Sequence, residues 1–183
     1  MAGLSDQRIV KISKYLSRHL RHQPDRLGLR LQPGGWVDVT ELLQACRVAG
    51  FALTRGELDE VVARNDKRRF GYDPTGRRIR ASPGHSVDVD LQLPPVDPPA
   101  RLFHGTSRGV VATIRREGLS SMGRRQVHLS ADMATATRVG ARRGLPVVLV
   151  VDTAAMAADG HRFYRADNDV WLVDAVPARY LST

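Results

Sequence analysis

A proline-rich segment in the middle of the chain restricts the folds that this sequence can adopt. Residues 94–100 read PPVDPPA, with four prolines in seven positions. Proline lacks the backbone N–H and clashes with the preceding turn, so neither a helix nor a central strand continues through such a segment. We therefore predict two lobes, residues 1–88 and 101–183, joined by a linker over residues 89–100.

The N-terminal lobe has the sequence pattern of three helices and a hairpin. Apolar residues recur at spacings of three and four from Ser5 to about His22 and predict one amphipathic helix. GGWVDVTELLQACRVAGF predicts a short strand and a helix from Thr40, and TRGELDEVVARND predicts a helix with a Thr54/Glu57 capping box. RRFGYDPTGRRIRAS predicts two short strands around a turn. This order indicates a winged-helix lobe, a fold that binds nucleic acid or serves as a protein-interaction module.

Strands and helices follow one another in the C-terminal lobe. RLFHG, QVHLS and PVVLVVD predict strands, and RGVVATIRREG and ADMATATRVGARRG predict helices. A final strand pair is predicted in HRFYRADNDVWLVDAVP. The fold class expected for the whole chain is α+β.

The charge of the chain indicates an anionic partner. The 183 residues carry a formal charge of +9, from 28 Lys and Arg against 19 Asp and Glu, and lysine occupies only positions 11, 14 and 67. Arginine suits bidentate contacts with phosphate, although a genome rich in G and C raises its content whatever the function. Among anionic partners, we expect nucleic acid or a nucleotide in preference to a membrane surface. The aromatic content of 5% disfavours a base-stacking platform.

Several classes of protein are disfavoured by what the sequence lacks. No stretch approaches the ~20 apolar residues of a membrane-spanning helix, and MAGLSDQRIVKISKYL has no signal-peptide core. The single cysteine, Cys46, cannot form an intrachain disulfide and lies at an apolar position, which favours a core thiol over a nucleophile. We expect a cytoplasmic protein with no membrane association. With no apolar stripe left unused, it is expected to be a monomer.

Metal and common nucleotide-binding motifs are also missing. The six histidines show no zinc spacing with cysteine or carboxylate, so no metal site is expected. Neither a Rossmann glycine motif nor a P-loop occurs.

Four segments concentrate basic and turn residues. Each alone has a plain structural explanation, such as a helix end that complements its dipole or a solvated basic loop. His104-Gly105-Thr106 follow directly on an apolar strand, and Gly105 allows the backbone to approach a ligand closely. The segments are Arg21-His22, NDKRRF at residues 65–70, LFHGTS at residues 102–107 and SMGRRQVHLS at residues 121–130.

Taken in order, these segments and their neighbours resemble the RNA 2′-phosphotransferase family, also called tRNA 2′-phosphotransferases. The resemblance covers nearly the whole chain. Its motifs are KISKYLSRHLRHQP with GLRL and GWVDVTELL, NDKRRF, GHS, RLFHGTS, GLSSMGRRQVHLS, VGARRGLPVVLVVD and FYRADNDVWLVDAVPARYL. The resemblance implies a winged-helix lobe followed by a lobe of ADP-ribosyltransferase fold.

The resemblance also implies a reaction with NAD as co-substrate and no metal. An internal RNA 2′-phosphate attacks the nicotinamide ribose and releases nicotinamide, giving 2′-phospho-ADP-ribosylated RNA. The ribose 2″-hydroxyl then attacks that phosphodiester, giving 2′-hydroxyl RNA and ADP-ribose 1″,2″-cyclic phosphate. A phosphomonoester already carries about −1.5 to −2 charges near neutral pH and needs orientation more than a base.

Site residues follow from the resemblance one by one. The implied catalytic residues are Arg21, His22, Arg69 and Arg124, with Arg125 as the alternative register to Arg124. The implied NAD-binding residues are His104, Gly105 and Thr106, with Ser130 as a companion. Candidate substrate contacts are Lys14, His85, Ser86 and Arg125. Arg18-His19 are expected at the surface.

Three points stay open at this stage. His22 is expected either to donate a proton to the departing RNA 2′-oxygen or to accept one from the attacking hydroxyl. Gln126 stands where the family is expected to have His, and Asp169 stands where Gly is commoner. The alternative functions are an ADP-ribosyltransferase that caps nucleic-acid terminal phosphates and a winged-helix nucleic-acid-binding regulator.

Overall fold

The computed structural model describes residues 3–65 and 68–183. The chain divides into two compact units, Met1–Gln92 and Leu93–Thr183. Both contain helices and small antiparallel sheets of three strands each, which confirms the predicted mixture of α and β structure. Asp66 and Lys67 of the NDKRRF motif lie outside the described residues. Among the described helices, none has the length and apolar character needed to cross a bilayer.

The described residues of the first unit form three α-helices, a short 3-10 helix and a three-stranded sheet. Helix α1 covers Asp6–Arg21 and begins at Ser5, whose side chain accepts from the Arg8 N–H at 3.3 Å. The remaining α-helices and strands are β1 Trp36–Asp38, α2 Val39–Val48, α3 Arg55–Ala63, β2 Phe70–Tyr72 and β3 Arg78–Ala81. The sheet order is β1-β3-β2, and both pairings are antiparallel.

The helix starts in this unit follow local capping signals. Both hydrogen bonds of the predicted Thr54/Glu57 capping box are present, which confirms it. Helix α2 begins one residue before the predicted Thr40, because the Asp38 side chain caps it by accepting from the N–H groups of Thr40 and Glu41.

In the core of the first unit, the apolar face of α1 packs against side chains from the other helices and from the sheet. Cys46 is fully buried, as predicted for a core thiol, and burial raises the pKa of its thiol to about 11. Fully buried apolar side chains in this core are Ile12, Leu16, Leu20, Val37, Leu42, Leu58, Val61 and Ile79.

The second unit contains two small antiparallel sheets. Its elements are β4 Arg101–Ser107, α4 Val111–Glu117, β5 Val127–Leu129, α5 Met133–Gly140, β6 Pro146–Asp152, α6 Thr153–Ala158, β7 Tyr164–Arg165, β8 Trp171–Val173 and β9 Leu181–Ser182. The strand orders are β4-β6-β9 and β5-β8-β7. Mutual backbone hydrogen bonds between Phe103 and Ser130, at 2.9 and 2.7 Å, link β4 to the segment after β5. Helix α6 and strand β9 were not predicted.

Helix α5 packs directly against the backbone of β4. A Cβ on Gly105 would lie 1.7 Å from the carbonyl oxygen of Ala136, and a Cβ on Gly140 would lie 2.6 Å from that of Thr106. Both positions therefore require glycine for the helix to approach the strand so closely. This packing fixes the part of β4 that carries the predicted His104-Gly105-Thr106 motif.

Candidate active site

In the first unit, hydrogen bonds bring together four residues from three separate segments of the sequence. We call Arg21, His22, Arg69 and Ser86 the basic cluster. A guanidinium nitrogen of Arg21 donates to the backbone carbonyl of Arg69 at 3.3 Å, and the Ser86 N–H donates to the carbonyl of Arg21 at 3.0 Å. The end of α1 is thus tied both to the segment before β2 and to the segment after β3.

Arg69 has a neutral partner. Its Nη1 donates to the side-chain oxygen of Asn65 at 3.4 Å, and its carbonyl also accepts from the Ser82 N–H at 2.8 Å. These contacts orient a half-buried guanidinium through an amide, so the positive charge of Arg69 is not used up by a carboxylate in this contact. Such an arginine is suited to an anionic ligand.

Ser86 also fixes the ring of His22. Its Oγ lies 2.9 Å from His22 Nδ1, within hydrogen-bond distance. His22 follows α1 as its C-terminal cap, and both side chains are exposed. A histidine held at one ring nitrogen has a defined ring orientation, which a proton-transfer residue needs.

His85 lies buried beside the basic cluster, with 5% of its surface exposed. Its Nε2 has no hydrogen-bond partner within the described parts of the chain. Burial, with the nearby charges of Arg21 and His22 as smaller causes, lowers the pKa of His85 to about 4. A neutral imidazole therefore stands behind the cluster at neutral pH.

The neighbouring Arg18-His19 pair is split by the helix geometry. Arg18 is exposed, as predicted, but His19 is buried. Its Nδ1 donates to the carbonyl of Gln23 at 3.2 Å, and its ring centroid lies 4.5 Å from that of Tyr15. The prediction was wrong for His19 because adjacent helical residues point about 100° apart, which turns His19 to the border of the apolar face. Lys14 is exposed on α1.

In the second unit, His104 is partly buried on β4 and held by one ring nitrogen. Its Nδ1 lies 3.1 Å from the carbonyl oxygen of His128, an acceptor, so Nδ1 carries the proton. Burial lowers the pKa of His104, opposed by this hydrogen bond and reinforced by the charge of Arg124. In the neutral ring Nε2 is then an acceptor, suited to a hydroxyl donor.

The other predicted residues of this unit lie close to His104. Gly105 and Thr106 continue β4, and Ser130 joins the backbone of Phe103. Arg124 and Arg125 are both exposed, and it is Arg124 whose charge acts on His104. That observation favours Arg124 over Arg125 for the predicted role.

Sequence reasoning missed two orienting groups. Asn65 positions Arg69, and the backbone carbonyl of His128 positions His104. Asn65 could have been found from the sequence, because its polar side chain lies in the NDKRRF motif. The carbonyl of His128 could not, because every residue has a backbone carbonyl. In the described part of the chain no group of three His, Cys, Asp or Glu side chains is arranged to hold a metal ion.

Comparison with known proteins identifies the family. A model of the RNA 2′-phosphotransferase, Tpt1/KptA family matches residues 7–175. The chain belongs to this family. A probable RNA 2′-phosphotransferase of Streptomyces griseus subsp. griseus is 57% identical over 185 residues, which cover 97% of this chain and 98% of the relative. Proteins of that name from Nostoc punctiforme and Streptomyces coelicolor are 56% and 57% identical over 178 residues, which cover 97% of this chain and 98% and 97% of theirs.

Membership of the RNA 2′-phosphotransferase family makes this chain a transferase, as the sequence motifs predicted. Two departures from the expected family pattern have a structural account. Gln126 donates from its amide to the Asp174 carboxylate at 3.0 Å, a bond that a histidine at this position would have to replace. Asp169 has a φ of 64°, in the left-handed region that favours glycine, and pairs with Arg165 at 2.7 Å.

Proposed function

We propose that this protein removes an internal 2′-phosphate from RNA, with NAD as co-substrate, in two steps through 2′-phospho-ADP-ribosylated RNA. The products are 2′-hydroxyl RNA, nicotinamide and ADP-ribose 1″,2″-cyclic phosphate. The observation that carries the proposal is the basic cluster, in which Arg21, His22 and Arg69 are held by one another and by Ser86. Membership of the RNA 2′-phosphotransferase family supports the choice of substrate.

The arginines are proposed to hold the phosphate. A dianionic 2′-phosphate is already a nucleophile, so the first step requires its oxygens to be fixed and not deprotonated. Arg21 and Arg69 supply charge-assisted donors for this and offset the charge that develops during phosphoryl transfer in the second step. Arg124 is proposed as a third catalytic arginine, and Lys14 as a contact to the substrate.

His22 is proposed to move a proton in the second step. The proton goes to the departing RNA 2′-oxygen or comes from the attacking ribose hydroxyl, and either role needs a ring of fixed orientation. Ser86 supplies that orientation through Nδ1, while its backbone N–H holds the Arg21 carbonyl. His85, neutral and buried next to both, adds no competing positive charge.

The residues of β4 fit the binding of NAD. His104 presents an acceptor nitrogen because its other nitrogen donates to the His128 carbonyl, and a ribose hydroxyl is a matching donor. Thr106 and Ser130 are proposed as further hydroxyl contacts. The backbone of Gly105 is proposed to contact the nicotinamide amide. When bound, NAD supplies the electrophilic ribose carbon and the nicotinamide leaving group.

The finer fold assignment is part of this proposal. In the first unit the order α, β, α, α, β, β with a three-stranded antiparallel sheet supports a winged-helix lobe. In the second unit the two small antiparallel sheets and the motif on β4 support a lobe of ADP-ribosyltransferase type. The first lobe is proposed to bind RNA and the second to bind NAD.

One incubation tests the reaction. The purified protein is incubated with a short RNA that carries one internal 2′-phosphate, with and without NAD. The RNA and the small molecules are then analysed by mass spectrometry. NAD-dependent loss of the phosphate with formation of ADP-ribose cyclic phosphate is the expected result. Accumulation of ADP-ribosylated RNA would contradict the second step, and no NAD-dependent change would contradict the proposal as a whole.

A further inference from the structure

Helix α1 carries three basic side chains on one exposed face. At about 100° per residue, Lys11, Lys14 and Arg18 fall within roughly 60° of one another. All three are exposed, whereas Ile12 and Leu16 on the other side lie in the core. We call Lys11, Lys14 and Arg18 the basic stripe.

Four basic residues elsewhere in the first unit are paired with carboxylates. Arg8 lies 2.8 Å from Glu57, Arg64 lies 2.7 Å from Glu60 and 2.8 Å from Asp6. Two further pairs are Arg55 with Asp59 at 2.8 Å and Arg78 with Asp73 at 3.2 Å. Each of these arginines therefore has an acidic partner within the fold.

The basic stripe has no such partners among the described residues; exposed arginines such as Arg30 share that property, but the stripe differs from them in lying on one line with the basic cluster. Across residues 3–65 and 68–183, no ion pair joins Lys11, Lys14 or Arg18 to a carboxylate, and the Arg18 Nε donates to the neutral Gln23 side chain at 2.9 Å. Like charges at positions i and i+4, as at Lys14 and Arg18, weaken a helix. An external anion that lies along this face would offset that repulsion.

The stripe leads into the basic cluster. Arg18 and His22 are four residues apart, so they lie on the same side of the helix end. From Lys11 to His22 the helix rises about 16 Å, since each residue adds about 1.5 Å. Cations are thus spaced along one line from the middle of α1 to the proposed 2′-phosphate site.

We propose that the basic stripe binds the phosphodiester backbone of the RNA strand next to the nucleotide that carries the 2′-phosphate. This rests on the proposed function and adds the path of the substrate. Contacts from lysine and arginine to backbone phosphates hold an RNA in register without reading its bases. The 5% aromatic content agrees with recognition through the backbone and not through base stacking.

The test compares two triple variants of equal charge. One is Lys11→Gln/Lys14→Gln/Arg18→Gln, and the matched control is Arg30→Gln/Arg47→Gln/Arg77→Gln. The control side chains are also exposed, lie in the same unit and form no ion pair with a described residue. Circular dichroism and thermal melting first show that both variants fold like the native chain.

Binding is then measured without turnover. The dissociation constant of a fluorescent single-stranded RNA, long enough to reach along α1, is followed by anisotropy as the NaCl concentration rises. For the stripe variant we expect at least a tenfold weaker affinity at low salt. The slope of log affinity against log salt should fall by about 2, because each lost phosphate contact on a single strand removes about 0.7. The control variant should keep most of the native affinity and slope.

Activity on two substrates locates the effect. The KM of a long 2′-phosphorylated RNA should rise in the stripe variant far more than the KM of a 2′-phosphorylated dinucleotide, which is too short to run along the whole stripe. Equal losses in the two triple variants, or a native salt slope in the stripe variant, would overturn the inference. If the native chain binds RNA through the stripe but shows no NAD-dependent reaction, the proposed function fails and the binding surface stands.

Discussion

Arg69 and Arg21 are the residues on which the proposed chemistry depends most directly. Arg69→Ala and Arg21→Ala should each lower kcat/KM for a 2′-phosphorylated RNA by roughly 10²–10³-fold, the usual loss when a donor to developing charge is removed. Neither side chain lies in the apolar core, so the fold should persist. Arg47→Ala, at an exposed position of α2, serves as the control for charge. Near-native rates in both arginine variants would refute the assignment.

Ser86 tests whether orientation of His22 matters. In Ser86→Ala the backbone bond to Arg21 remains, but the Oγ contact at 2.9 Å to His22 Nδ1 is lost. We expect kcat for the second step to fall about tenfold, a part of the roughly 10²–10⁴-fold that a general acid or base contributes, with KM for RNA little changed. The pH profile of kcat should shift as well, because the ring loses a partner. Ser86→Thr, which keeps a hydroxyl, should restore most of the rate, and a Thr variant as slow as Ala would count against this role.

At the scale of elements, the contact between α5 and β4 requires a particular residue, glycine, at position 105. Gly105→Ala places a Cβ 1.7 Å from the Ala136 carbonyl oxygen, so the helix must move away from the strand. We expect a loss of about 2 kcal/mol or more in the free energy of unfolding, measured by urea denaturation. The Cβ of Gly109→Ala meets nothing within 4 Å, so this control should stay within about 1 kcal/mol of the native chain. Similar stabilities for the two variants would show that α5 yields without penalty.

Elements with a complete local signal could be predicted from the sequence. Helix α1 has its cap at Ser5 and an apolar face of regular spacing, and α3 has the Thr54/Glu57 capping box. Helix α6 and strand β9 escaped prediction for a physical reason. Helix α6 has six residues and strand β9 has two, so neither is long enough to show a periodic pattern of apolar residues. Strand β9 is moreover defined by its pairing with β6, a tertiary contact.

The site was predictable in part. The motif residues could be chosen from the resemblance, but the contacts that hold them depend on tertiary structure. The Ser86 bonds to Arg21 and His22 join positions more than sixty residues apart, which no local pattern reveals. The burial of His19 could have been predicted from helix geometry, since a step of about 100° per residue places His19 on the same side of α1 as Ile12. Treating Arg18 and His19 as one pair concealed that difference.

At the scale of the whole molecule, each unit contains a histidine whose pKa is lowered by burial in the fold. His85 in the first unit has a pKa lowered to about 4, and burial also lowers the pKa of His104 in the second unit. In the unfolded chain both rings take up a proton near pH 6.5. The folded state therefore binds fewer protons than the unfolded state below that pH, and both units should lose stability as the solution becomes acidic.

The pH dependence of stability tests this reading. The contribution of His85 is complete above about pH 6.5 and falls as the pH drops toward 4, because its folded pKa lies below its unfolded value. Between pH 7 and pH 5 this histidine alone should remove about 2 kcal/mol from the free energy of unfolding. Urea denaturation at several pH values in this range, followed by a probe in the first unit, measures the loss. His85→Gln cannot titrate, so its curve for that unit should be flatter whatever its stability at pH 7. Parallel curves for the native and His85→Gln chains would mean that His85 takes up a proton as readily in the folded protein as in the unfolded chain, and the lowered pKa of His85 would have to be abandoned.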